Sequence, residues 1–344
     1  MLAAIVMVES AARETSCGLP PTLPLACVDV LGQSVLARLV TGFHQQGIEA
    51  TTVLADDMLA AFGADFARSA ERVPLRWGGH TLQAAGKTLS SLRDKNIEFV
   101  VLMRASAYAE LEIEDLVEFH RTQDQAVTRA FDAHGPLDVW IVATQRVLDD
   151  VDLSQQLSSA SSRYIVRRYV NRLSGPQDLR RLVKDSLAAR CQLRPDGAQM
   201  RPGVWVGEGA SVHRKARIVA PAFLGRYSRV NANCLITRGS NVESNSEVDF
   251  DTVVEDSSVL ANSYVGIGLD VTHSVVDGTT LHSLKHHATL HIADPALIGR
   301  TAARGKGLLQ SSPLTLGLAQ HSICARHQRR SFDSRLKTRH SLFL

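Results

Sequence analysis

At 344 residues, with 44% hydrophobic and 21% charged side chains, the chain has a globular composition and enough length for two domains with sizeable cores. A net charge of +3 is too small to imply a nucleic-acid partner, and no apolar run reaches the length of a membrane-spanning helix. Five cysteines (Cys17, Cys27, Cys191, Cys234, Cys324), odd in number and without a CxxC pair, exclude a disulfide framework or zinc site and point to reduced thiols in a cytoplasmic protein.

The apolar start reads as a buried strand over Ala3 to Val8; it lacks the basic flank of a signal peptide. After a Pro-containing loop, Ser34 to Gln46 has helical spacing, with Gly47 as its C-cap. Strands are expected over Ala50 to Leu54, Glu98 to Leu102 and Asp138 to Ala143, and helices over Leu82 to Lys95 and Ile113 to Arg121. Alternating strands and helices imply a parallel sheet covered on both faces, over residues 1–150. Residues 151–202 read as a mostly helical connector, broken at Gly175-Pro176. It carries Arg163, Arg167, Arg168, Arg172, Arg180, Arg181, Lys184 and Arg190, either a solvated face or an anion-binding surface.

Val206, Val212, Ile218, Leu224, Val230, Ile236, Val242, Val248, Val254 and Leu260 then recur at every sixth position. Four residues after each comes a mostly small side chain: Ala210, Ala216, Ala222, Ser228, Cys234, Ser240, Ser246, Thr252, Ser258 and, as the exception, Tyr264. A period of six matches neither helix nor strand. It matches a parallel β-helix, each hexapeptide forming one flat side with its aliphatic residue inward and its small residue at the corner. The pattern resembles the left-handed hexapeptide-repeat β-helix, with three hexapeptides per coil, and is placed at 203–299 with a cap from Leu281 to Gly299. Residues 300–344 lose the period and form a basic tail expected to be poorly ordered.

Two groups of residues carry a family resemblance. Val30-Leu31-Gly32-Gln33-Ser34-Val35-Leu36 is similar to a V-x-G-[RK]-P-[LM]-[LI] segment, and Phe99 to Leu102 with Leu116-Val117-Glu118-Phe119-His120 resembles a strand and an "LL-x-FH" helix flanking a metal-binding aspartate. Asn262 to Gly266, Ser274 to Gly278 and Asp294 to Gly299 resemble closing β-helix coils. The family is the sugar nucleotidyltransferases, mannose-1-phosphate guanylyltransferase-like and glucose-1-phosphate thymidylyltransferase-like NDP-sugar synthases. The resemblance implies a truncated, Rossmann-like α/β domain followed by a left-handed β-helix, in bacterial sugar-nucleotide or surface-polysaccharide metabolism.

The family's chemical residues are not matched. Where its glycine-rich nucleotide loop would follow the first strand, this chain reads Met7-Val8-Glu9-Ser10-Ala11-Ala12-Arg13. Glycines there would let backbone N–H groups approach phosphates; here Glu9 brings a negative charge, and only Arg13 corresponds to the family's arginine, with a one-residue shift. Glu9, Ser10 and Arg13 are the candidate remnants of a substrate-binding loop. The metal aspartate's position is held by Ala105 in Met103-Arg104-Ala105, which leaves no ligand for the Mg²⁺ that the transfer would need. Glu110, Glu112, Glu114 and Asp115 read as an acidic helix start rather than replacement ligands.

His282, His286, His287 and His291 cluster late in the repeats, as surface histidines, a metal site or the base of an acyltransferase. The expected function is a non-catalytic nucleotidyltransferase-like binding or scaffold protein without cofactor. Its expected contacts are a homo-oligomer through the β-helix and a polysaccharide-biosynthesis partner, with no nucleic acid and no membrane span. The alternatives are an active sugar-1-phosphate nucleotidyltransferase using Mg²⁺ and a hexapeptide-repeat acyltransferase.

Overall fold

The computed structural model describes residues 1–9, 23–48, 50–56, 75–77, 80–147 and 152–301. Its first part is a seven-stranded sheet. The strands and helices in chain order are β1 (Leu2–Val8), the hairpin β2 (Asp29–Val30) and β3 (Gln33–Ser34), α1 (Val35–Gln45), β4 (Ala50–Ala55), β5 (Leu75–Trp77) and α2 (Thr81–Asp94). Then come β6 (Phe99–Arg104), β7 (Tyr108–Ala109), α3 (Ile113–Gln123), β8 (Val127–Asp132), β9 (Gly135–Ala143), α4 (Leu153–Ser158), β10 (Ser162–Ile165), β11 (Val170–Asn171) and α5 (Pro176–Leu187).

β1 is aliphatic throughout because both its faces are covered. Ala4, Val6 and Val8 pack with α1, α3 and α5, whereas Ala3, Ile5 and Met7 pack with α2 and α4. Ser34 caps α1 by accepting the Ala37 N–H, and Gly47 leaves that helix in the left-handed conformation its lack of Cβ permits.

The strand order β10-β8-β9-β6-β1-β4-β5 departs from the all-parallel expectation. β1 runs parallel to β4 and β6, but β9 is antiparallel to both β6 and β8. The cause is a hairpin: only Ala133 and His134 separate β8 from β9, too few residues for a parallel crossover. Asp132 helps close the turn by accepting the His134 N–H. β10 lies within the stretch expected to be a helical connector, yet it is the sheet's edge strand.

The hexapeptide region forms three parallel sheets. Face one comprises Val204–Val206, Ala222–Leu224, Asn241–Val242, Ser258–Val259 and Ser274–Asp277. Face two comprises Ser211–Val212, Arg229–Val230, Glu247–Val248 and Ser263–Val265, and face three Arg217–Ile218, Leu235–Thr237, Val253–Glu255 and Asp270–Thr272. Each strand pairs with the one a whole coil away, as in Val204↔Ala222 and Arg217↔Leu235.

Two readings of the repeat change. First, the register slips by one residue after Val254 and again after Val271. The inward series continues Val259, Val265, Val271 and Val276, while Leu260 turns outward into the α/β core. Ser263 then takes the corner position assigned to Tyr264, so the apparent exception in the small-residue column is a shift of frame. Second, the small residues do more than avoid collision. The hydroxyls of Ser240, Ser246, Thr252 and Ser257 donate to the carbonyls of Val254, Leu260, Gly266 and Val271, at 2.6–3.2 Å. The same hydroxyls accept the N–H groups of Ser257, Ser263, Leu269 and Ser274, which satisfies backbone groups that the turns leave out of the sheets.

The stack closes when the chain reverses. Thr280–Ser283 pairs antiparallel with face one, and Ile298–Arg300 pairs antiparallel with face two, carrying the cap one residue beyond Gly299. Face one is the docking face. Phe223, Leu260 and Val275 point outward from it, yet they are buried in the same cluster as α1, α3 and α5.

Candidate functional site

In open α/β sheets ligands bind beyond the carboxyl ends of the strands, where the strand order reverses. Here that point lies between β1 and β6: β4 and β5 continue on one side of β1, and β6 and β9 on the other. Met7 is paired with Arg104, and the Ala105 N–H donates to the Met7 carbonyl at 2.8 Å. Glu9 and Ala105 therefore leave adjacent strands at the same edge. Ser10 and Arg13 lie outside the described residues.

The groups at this edge answer one another. Thr81, the first residue of α2, donates its hydroxyl to Glu9 Oε1 at 2.5 Å. The Arg104 Nε stands 3.6 Å from the same oxygen, an ion pair too long to be a hydrogen bond, and it finds no hydrogen-bond acceptor among the described residues. An arginine at a sheet edge suits an anion, but the Glu9 carboxylate already faces this one. Asp138, one residue before Val139 of the pair Met103↔Val139, is engaged by Arg129 at 3.1 Å and by the Ser106 hydroxyl. Among the described residues no three His, Cys, Asp or Glu side chains come together to hold a metal ion. A divalent cation does not fit Arg104 and Ala105, which offer it a positive charge and no oxygen ligand.

Three of the other acidic candidates have structural partners. Glu110 accepts the Tyr108 hydroxyl and the Gln192 N–H, Glu112 pairs with Arg168, and Asp115 accepts the Tyr164 hydroxyl at 2.6 Å. Glu114 and Asp115 lie in the first turn of α3, where the helix dipole favours them.

Most of the basic set of 163–190 is likewise spent. Arg172 pairs with Asp132, Arg181 with Asp178 and Arg190 with Asp185, while Arg163 lies over the Phe131 ring. Arg180 is 3% exposed and binds the Gly239 carbonyl and Asp256, which Lys184 and His273 also contact. It bolts α5 to a corner of the coil.

The late histidines are spread along a hairpin. His282 faces the Thr289 hydroxyl, His291 that of Thr280, and His287 the Gln177 amide. Cys27, Cys191 and Cys234 are buried thiols that form no disulfide, and burial pushes that of Cys27 up to about 12. Among the described residues no helix is long and apolar enough to cross a membrane.

One polar centre escaped the sequence. Glu243, fully buried on the coil, accepts the Leu31 N–H at 2.8 Å, the Gly32 N–H at 2.9 Å and the Asn241 amide at 2.6 Å. Ser258 donates to Asn241 behind it. Leu31 and Gly32, at φ 55 and 91, form the two-residue turn of the β2–β3 hairpin. That turn conformation favours Asn-Gly, so a leucine there costs backbone energy that the hydrogen bonds to the Glu243 side chain offset. Burial, then the charge of Asp29, push Glu243 up to about 8, against the pull of its N–H donors. In the sequence it is one polar residue after an inward valine, with nothing to mark it.

No family model and no curated protein matches the sequence. Among solved structures, HddC from Yersinia pseudotuberculosis, complexed with GMP-PN, aligns over 52% of this chain and 97% of its own, at 13% identity and a TM-score of 0.38. A likeness that loose carries no argument about activity.

Proposed function

We propose that the chain is a non-catalytic relative of the sugar nucleotidyltransferases, a binding or scaffold protein of sugar-nucleotide or surface-polysaccharide metabolism built on a left-handed β-helix. The observation that carries this reading is the cluster at the mouth of the sheet. A nucleotide-transferring site needs phosphate-binding N–H groups and a metal carboxylate there. This chain instead sets Glu9 against Arg104 and Thr81, with Ala105 beside them. A triphosphate entering the crevice would meet the Glu9 carboxylate and compete with it for Arg104. The hexad with its small corners supports the left-handed coil, and the three parallel sheets are compatible with it.

The test is titration calorimetry with nucleoside triphosphates, with and without Mg²⁺, beside a pyrophosphate-release assay on sugar 1-phosphates. The expected result is no turnover. Metal-dependent pyrophosphate release would sink the proposal, and nucleotide binding without turnover would make the role one of ligand sensing.

A further inference from the structure

Face one of the coil is buried against the α/β core; faces two and three are open, and they differ in kind. Face two is satisfied within the chain: Asn231 donates to Glu247 and Asp249, and Tyr264 to Asp249. Face three has an outward column, set by strand register, that reads Arg217, Leu235, Val253, Asp270. Arg217 and Asp270 are exposed, and neither has an ion-pair partner among the described residues. The second column reads Val219, Thr237, Glu255, Thr272, with Val219 40% exposed and Glu255 paired with Arg238 of the adjoining corner at 3.0 Å. On the adjoining corner Phe250 and Ile267 stand 46% and 61% exposed, one coil apart.

A column of cation, apolar, apolar, anion is complementary to its own reverse. We propose that face three is the contact surface of a homodimer, formed with a second copy of this chain about a two-fold axis lying in the interface and parallel to the strands. That axis inverts the order of coils and keeps each column facing itself. Arg217 then meets Asp270 of the second copy, and Leu235 meets Val253. In the second column Thr237 meets Glu255 and Val219 meets Thr272. A two-fold axis along the coil stack fits worse, because it sets one column against the other and presses Val253 onto Glu255. The charge pattern thus selects both the partner and its orientation.

Four strands at about 4.8 Å spacing make a small face, well below the roughly 800 Å² per partner of a standard interface, so the dimer is weak and reversible. The inference does not depend on whether nucleotide binds.

The test is sedimentation velocity of the full chain from about 1 to 100 µM, where an interface of this size dissociates. Arg217→Asp and Asp270→Arg should each weaken association about tenfold or more, since each puts like charges at both symmetry-related contacts. The double variant should restore it. Both residues are exposed, so the variants keep the wild-type circular-dichroism melt. A monomer at every concentration overturns the proposal, as does a dimer indifferent to the single reversals or not rescued by the double one.

Discussion

Replacing Glu243 by alanine tests the joint between the two halves of the molecule. The carboxyl oxygens of Glu243 accept from the Leu31, Gly32 and Asn241 donors, and the residue is wholly buried. Removing it leaves three donors without an acceptor, each costing about 1–3 kcal/mol where water does not reach, so about 4 kcal/mol in total is a central expectation. The cost depends on pH. Glu243 sits at about 8 in the folded protein against 4.5 ordinarily, so between those values the folded state holds a proton that the unfolded state has released. Its contribution is therefore full below about 4.5 and is lost as pH rises through 8, by at most about 5 kcal/mol. Urea unfolding followed by circular dichroism at pH 5, 7 and 9 should show the wild type losing stability with pH, and Glu243→Ala losing less. The gap between them should be widest at pH 5. Hydrogen exchange at the Leu31 and Gly32 amides should accelerate in the variant. A gap below about 1 kcal/mol at pH 5, or one constant across this range, would refute the reasoning.

Thr252→Val removes the hydroxyl that joins the Gly266 carbonyl and the Leu269 N–H, with little change of shape, and should cost about 2 kcal/mol in urea unfolding. Arg180→Ala should cost about 3 kcal/mol: it takes a buried guanidinium from the Gly239 carbonyl and Asp256, although Lys184 still faces that acid. Limited proteolysis of the variant should cut first around α5. His120 is buried against Phe99 and bound to Thr128, and burial, then the charge of Arg146, press it down to about 4. The unfolded state therefore takes up a proton first on acidification, and stability should fall by up to about 3 kcal/mol from pH 6.5 to 4. His120→Phe should flatten that slope, and an unchanged slope would show that His120 is not its source.

The fold was legible where one physical requirement repeats. Inward Val, Ile and Leu every six residues mark the coil, because each must stack on its equivalents one turn away. The slip after Val254 was hidden because Leu260 also fits the period, although Val259 is the residue that enters the stack. The β8–β9 hairpin was missed because Ala133-His134 carries no Asn-Gly or Asp-Gly signal, and β10 because only its register against β8 identifies it as a sheet edge. The basic run of 163–190 looked like a surface patch only while its partners, scattered from Glu112 to Asp256, were out of view.

The candidate site was legible only as a set of departures from a pattern. That Glu9 and Arg104 would face each other follows from β1 and β6 being neighbours, which no local sequence feature states. The docking of the coil, by contrast, had a signal in the residues that the hexad leaves out. On face two the outward positions include Arg229, Glu247 and Asp249, all suited to water, and on face three Arg217 and Asp270 bracket the half-buried Leu235 and Val253. On face one the same column reads Trp205, Phe223, Asn241, Ser258 and Val275, with Leu260 just beyond, and Asn241 and Ser258 are buried in the network of Glu243. A large apolar residue that points away from its own coil needs another surface to cover it. Trp205, Phe223, Leu260 and Val275, all on one side, mark the side that cannot stand in solvent. The inward period thus identifies the prism, and the outward residues identify which of its faces is interior.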